Sequence, residues 1–213
     1  MRAGPDEDAA LMLRVQQGDL EAFDALVTRY RQPVCNFVHR TLLDPDEAED
    51  LAQQVFVQVW KAAARYRPTS RFSTWLFTIA RNLCLNELRR RGRHPTESLD
   101  APVGAAEEPF ERDFADTHGP GVTESVLLEE LEARIEEALG DLPETQRSAL
   151  LLFREKEMAY DEIARVLGVS VSATKSLIHR GRETLKRRLK AYLRSGGWEP
   201  AAAPPATFPE RRV

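Results

Sequence analysis

Residues 160–189 read YDEIARVLGVSVSATKSLIHRGRETLKRRL. Tyr160 to Leu167 has the apolar spacing of a short helix, Gly168-Val169-Ser170 the composition of a turn, and Val171 to Leu189 the spacing of a longer helix. Gly168 can take the positive φ of a tight turn, small Ala164 admits a closely crossing helix, and Ile163, Val166, Leu167, Val169 and Ile178 supply a shared core. Ser170 is a good N-cap for the second helix. Together these features predict a helix-turn-helix, a motif whose second helix enters the major groove of DNA. That helix would expose Ser172, Lys175, Ser176, His179, Arg180 and Arg182, with Lys186, Arg187 and Arg188 extending the basic surface. Hydroxyl, imidazole and cationic groups of this kind suit base edges and phosphates.

Moving outward, the rest of the chain also reads as helical. There is no sustained apolar alternation and no Asn-Gly or Asp-Gly hairpin turn between β-branched runs, so an all-α fold is expected. Ala22 to Leu43 is amphipathic, with an interruption predicted near Pro33 and with Phe23, Leu26, Val27, Tyr30, Val34, Phe37 and Val38 inward. Leu51, Ala52, Val55, Phe56, Val59, Trp60 and Ala63 form one apolar stripe on a helix from about Pro45 to Tyr66, whose other face carries Glu49, Gln53, Gln54 and Gln58. After a break at Arg67-Pro68-Thr69-Ser70, Ser73 or Thr74 can cap a further helix that buries Leu76, Ile79, Ala80, Leu83 and Leu88 and ends in Arg89, Arg90, Arg91 and Arg93. These helices predict a bundle domain over 10–95. Pro, Gly, Ala and acidic residues then dominate to about residue 123, as in an extended linker. Helical periodicity returns over 124–195, and 196–213 is a Pro- and Ala-rich tail in which Trp198 and Phe208 stand out.

The net charge of −4 over 213 residues conceals a segregation. Residues 21–95 hold 12 basic against 8 acidic side chains, 97–137 hold 2 against 13, and 141–195 hold 12 against 7. Two basic blocks around an acidic one suggest two surfaces that face phosphate and a middle segment that avoids or mimics it. No apolar run approaches the roughly 20 residues of a membrane helix, and the first ten residues lack a signal peptide's basic start and apolar core, so a cytoplasmic protein without membrane insertion is expected. Cys35 and Cys84 have no CxxC partner; Cys35 and His39 stand one helical turn apart, but the spacing favours ordinary packed side chains over half a metal site. No P-loop, HExxH or GxSxG is present, and His39, His94, His118 and His179 are scattered, so no catalytic residues, metal or cofactor are expected.

LPETQRSALLLFREKEMAYDEIARVLGVSVSATKSLIHRGRETLKRRL (142–189) resembles region 4 of the extracytoplasmic-function (ECF) sigma factors, of the sigma-70 family. EDLAQQVFVQVWKA (49–62) and FSTWLFTIARNLCLNELRRR (72–91) resemble region 2 of the same family. The resemblance implies a subunit that docks on core RNA polymerase, opens and reads the minus-ten element of promoter DNA through region 2, reads the minus-thirty-five element through region 4, and is held in check by an anti-sigma factor. It further implies Asp50, Gln53, Gln54 and Gln58 as the polymerase-docking face, and Arg71, Phe72, Trp75, Arg81, Asn82, Asn86 and Arg89 as groups that accept flipped bases or read their edges. Lys175, Ser176, His179 and Arg180 match the minus-thirty-five readers. The acidic linker matches the connector that threads the polymerase cleft. From the residues alone, a stand-alone helix-turn-helix regulator is the competing reading.

Four positions depart from the family pattern. Gln54 stands where Glu is frequent, removing a charge but not reach. Thr174 takes a buried place usually held by Val, where its hydroxyl can bond back to the Ser170 carbonyl. Leu177 replaces a frequent Arg, with the loss of one phosphate contact expected. Ala159 replaces a frequent Ser N-cap, at a cost of about 1 kcal/mol that Asp161 in the first turn partly offsets.

Overall fold

Two aspartates set the starts of the first long helices. Asp19 Oδ1 accepts from the Ala22 N–H at 3.0 Å, and Asp44 Oδ1 accepts from the N–H groups of Asp46 and Glu47 at 3.1 and 3.3 Å, quenching donors that a first helical turn leaves unpaired. The computed structural model describes residues 6–93, 131, 133–154 and 158–195, and among them it is all-α. In chain order it has α1 (Glu7–Val15), α2 (Leu20–Leu42), α3 (Pro45–Ala62) with a 3₁₀ turn at Ala63–Arg65, α4 (Phe72–Arg93), α5 (residues 133–140), α6 (Glu144–Arg154), α7 (Tyr160–Leu167) and α8 (Val171–Ser195). The linker and tail expected at 96–123 and 196–213 lie outside the described residues, as do His94, His118, Trp198 and Phe208.

Helices α1 to α4 bury Met12, Leu26, Val34, Phe37, Leu76 and Phe77, with Phe37 and Phe77 edge to face at 5.4 Å. Three features of how these helices begin and run differ from the sequence reading, and two side chains expected inside, Trp60 and Val169, are exposed. Helix α2 runs through Pro33 without interruption, because packed residues on both sides of it, Tyr30, Val34 and Phe37, hold the helix against the missing N–H. Helix α1, for which no signal was read, packs on α2 through Asp8, which accepts from the Tyr30 hydroxyl at 2.5 Å and pairs with Arg29. Neither Ser73 nor Thr74 caps α4. That helix starts at Phe72, and the Phe72 N–H donates to Asp6 Oδ2 at 2.7 Å, so the cap comes from the far end of the chain.

In the second half, α6, α7 and α8 enclose Leu152, Ile163, Val166 and Ile178. Gly168 closes α7 at φ 69°, and Ser170 Oγ accepts from the Ala173 N–H at 3.1 Å to open α8. Helix α8 also approaches α6 closely at Gly181, where a Cβ would stand 2.6 Å from Leu150 Cδ1, while Ala164 on α7 is buried.

Candidate nucleic-acid and partner interfaces

Helix α8 sorts its side chains by angle. Thr174, Ile178 and Gly181 face inward, while Ser172, Lys175, Ser176, His179, Arg180 and Arg182 are all exposed. Lys175, Ser176, His179 and Arg180 line one shallow depression of about 360 Å³. The Thr174 hydroxyl donates to the Ser170 carbonyl at 3.1 Å, so the departure from Val keeps a satisfied, fully buried side chain. At the N-cap of α7, Ala159 offers no acceptor, yet its own N–H donates to Glu162 Oε2 at 2.9 Å, which preserves half of a capping box. Asp161 instead pairs with Arg165.

Helix α4 is divided. Asn82, Asn86 and Arg89 fall on one exposed stripe, with Arg89 donating to Asn86 Oδ1 at 3.2 Å. Phe72 is 0% exposed, its ring edge-on to Tyr30 at 5.3 Å, and Trp75 is half-buried 4.9 Å from Tyr66. The structure therefore places Phe72 in the core and offers no free face of it to a base. Arg90 and Arg91 are taken up by carboxylates: Glu87 accepts from both, and Arg91 reaches Asp44 and Glu47 on α3.

Between α2 and α3 lies a groove of about 990 Å³ lined by Phe23, Val27, Cys35, Ala52 and Phe56 on its floor and Asp24, Arg31, Glu49 and Gln53 at its edge. Asp50, Gln53, Gln54 and Gln58 are all exposed along α3, and Gln53 reaches the groove. Trp60, read from periodicity as inward, is 41% exposed and packs its edge on Phe23 at 5.0 Å, beside exposed Val57. Among the described residues no three His, Cys, Asp or Glu side chains gather as a metal site, and no helix is long and apolar enough to cross a membrane. Burial raises the Cys84 thiol to about 12, which keeps it protonated.

Residues 26–94 match the family Sigma-70 region 2, and residues 132–185 match Sigma-70, region 4. The chain is 36% identical over 189 residues to the RNA polymerase sigma-H factor of Pseudomonas aeruginosa, covering 89% of this chain and 97% of that protein. It is 34% identical over 187 residues to the ECF RNA polymerase sigma-E factor of Escherichia coli, covering 88% and 96%. The chain belongs to the ECF sigma factors. Among solved structures, CnrH in complex with the cytosolic domain of CnrY shares the fold at a TM-score of 0.62, with 24% identity over 87% of this chain and 99% of that one. The sigma factor RpoE of Bartonella quintana, solved with the anti-sigma factor NepR, aligns at a TM-score of 0.59, with 25% identity over 79% and 96%.

As a sigma factor this chain is an alternative initiation factor and not a stand-alone regulator, and it has no catalysis of its own. The sigma factor's two regions touch. Helix α7 packs on α4 and α6 on α2. Arg71 Nε lies 3.4 Å from Glu162 Oε1, which also accepts from the Thr74 hydroxyl at 3.5 Å; Arg81 Nη2 lies 3.4 Å from Glu144 Oε2; and His39 Nδ1 lies 4.0 Å from Glu136. In each pair the nitrogen group belongs to region 2 and the carboxylate to region 4, and in the two arginine pairs the region 2 partner is a cation. Arg81, 8% exposed, has a buried Nε without a partner. Sequence reasoning missed Glu144 and Glu162, for which no local signal existed.

Proposed function

We propose that this sigma factor docks on core RNA polymerase through the exposed face of α3 and the adjoining α2–α3 groove, with Asp50, Gln53, Gln54 and Gln58 as its polar contacts. Region 2, over 10–95, opens and reads the minus-ten element. Asn82, Asn86 and Arg89 are its exposed readers, joined by Arg71, Trp75 and Arg81 once region 4 moves off α4. Phe72 supports Trp75 from the core. Region 4, over 124–195, reads the minus-thirty-five element with α8. The observation that carries this reading is the outward face of α8, where Ser172, Ser176, His179 and Arg180 project from a helix whose opposite side is closed by Gly181 and Ile178. The sigma factor RpoE, solved with the anti-sigma factor NepR, supports a similar partner here, and the −11 balance of 97–137 supports a connector that runs through a basic channel of the polymerase. The cytoplasm is the compartment these partners require.

Run-off transcription from a genomic fragment library, with core polymerase alone and with added protein, tests the assignment. Protein-dependent transcripts with fixed start sites are expected, and both promoter elements follow from their upstream sequences. Protein that shifted duplex DNA without polymerase, while adding no transcript, would overturn it. Within α8, Arg180→Ala is expected to cost about 1 to 3 kcal/mol of promoter binding and to relax preference at one minus-thirty-five position. Uniform weakening across all sequences would make Arg180 a phosphate contact.

A further inference from the structure

Two cations of α8 are held by aromatic rings instead of carboxylates. Lys175 Nζ lies 5.6 Å from the centroid of the Tyr160 ring, and Arg182 Cζ lies 4.4 Å from that of Phe153. The two rings stack on each other, 5.5 Å apart and 31° from parallel. Phe153 sits near the end of α6 and Tyr160 is the first residue of α7, so a ladder of cation, ring, ring and cation runs along the seam where α8 meets both helices. Neighbouring cations take the other solution: Arg165 pairs with Asp161 and Arg188 with Asp141. Among the described residues neither Lys175 nor Arg182 pairs with a carboxylate, which leaves both side chains open to an anion from outside the chain.

Helical geometry says which anion. Lys175 and Arg182 are seven residues apart, two turns on one line, or roughly 10 Å along the axis. They flank α8 on one side of the outward line of Ser172, Ser176 and His179. A helix in the major groove presents its outward line to base edges and its flanks to the phosphate walls. The ring contacts supply the rest. Long Lys and Arg side chains lose up to about 2 kcal/mol of rotamer entropy when ordered, and a ring that orders them before DNA arrives removes part of that cost from binding.

We propose that Tyr160 and Phe153 are positioning residues that hold Lys175 and Arg182 as a pair of phosphate contacts on one edge of the recognition helix. Base reading then falls to Ser172, Ser176, His179 and Arg180, and Lys175, which the family pattern groups with the readers, becomes an anchor. The proposal rests on region 4 binding the minus-thirty-five element.

The test uses holoenzyme reconstituted with the full chain, a promoter duplex, and a set of duplexes substituted at each minus-thirty-five position. Tyr160→Leu is expected to weaken promoter binding about two- to five-fold, the range of an exposed cation–ring contact, equally on every duplex and with the base preference unchanged. Tyr160→Phe, which keeps the ring, retains wild-type affinity. Lys175→Gln lowers the slope of log K against log salt by about 1, and adding Tyr160→Leu to it costs nothing more. Phe153→Leu and Phe153→Tyr repeat the contrast for Arg182, the second variant keeping the ring should the first fail to fold. The proposal is overturned if Tyr160→Phe is as weak as Tyr160→Leu, if the Lys175 and Tyr160 losses add, or if Tyr160→Leu changes base preference. Failure of the region 4 assignment itself would show separately, as an Arg180→Ala holoenzyme indifferent to every minus-thirty-five substitution.

Discussion

Helix α8 turns every side chain assigned to DNA outward, whereas three of the seven assigned at α4 are buried or half-buried. All six groups assigned to DNA on α8 are exposed, but of the seven assigned to Arg71–Arg89 one is in the core, one is half-buried and one is a buried partner of Glu144. The cause is packing. Helix α8 is flanked by α6 and α7 along one side, so its outward half carries no structural duty. Helix α4 packs on α2 and α3 and receives α7 on a further face, so its residues must serve the core, the contact between regions and nucleic acid at once. A helix with one packed side wears its function openly; a helix packed on several sides hides it until a neighbour leaves.

The sharpest way to break that contrast is at Phe72. If it belongs to the core, Phe72→Ala removes a fully buried ring and is expected to cost about 3 to 5 kcal/mol of region 2 stability in urea denaturation. A loss of promoter opening with unchanged stability would return Phe72 to the reading face. The next test moves region 4 off α4. Glu144→Lys sets two cations against each other at a site where Arg81 already has an unpartnered Nε. The expected cost is about 2 kcal/mol of contact between regions, below the roughly 3 to 5 of a fully buried pair because Glu144 is partly exposed. Energy transfer between dyes on the two regions should fall, and the free chain should bind a single-stranded minus-ten oligonucleotide several-fold more tightly. Separation without a gain in binding would show that Arg81 plays no part in reading DNA.

A smaller effect is expected at Gly181. Alanine there gains up to about 1 kcal/mol of helix propensity but drives a Cβ into Leu150, and overpacking costs of about 1 to 3 kcal/mol outweigh the gain. A net loss near 1 kcal/mol in the thermal unfolding of region 4 is expected, and in a double-mutant cycle that loss should vanish on a Leu150→Ala background, whatever Leu150→Ala costs by itself. A Gly181→Ala protein more stable than wild type would show that Leu150 simply rotates away.

What could be read in advance follows the same divide. The turn at Gly168, the Ser170 cap and the Thr174 back-bond were legible because each is settled within four residues of sequence. The Asp6 cap of α4 spans 66 residues, and the bonds from Arg81 to Glu144 and Thr74 to Glu162 span 63 and 88, so no periodicity announces them. Trp60 failed for a different reason: its place in the apolar period is right, but the groove beside Phe23 leaves the helix flank uncovered. Gly181 carried no signal, because nothing local shows that its face of α8 meets Leu150 on α6.

The smallest effect concerns the basic end of α4, where one helix again carries two faces. Asn82, Asn86 and Arg89 point outward for nucleic acid, while Glu87 and Arg91 lie on the opposite side and tie α4 to Asp44 and Glu47 of α3. The hydrogen bond from Arg90 above all, with that from Arg91, holds the Glu87 carboxyl down at about 2 against an ordinary 4.5. A carboxylate whose folded pKa is depressed stabilises the fold fully above its unfolded pKa and loses that contribution as pH falls from about 4.5 through about 2. Arg90 is largely open to solvent, so screening keeps the contribution at pH 7 under about 1 kcal/mol. Glu87→Gln should therefore lower the melting temperature of region 2 slightly at pH 7 and converge on wild type near pH 2. Minus-ten reading by holoenzyme should be unaffected, because the network fixes the buried side of α4. An equal deficit at both pH values would mean that Glu87 acts through packing and not through its charge.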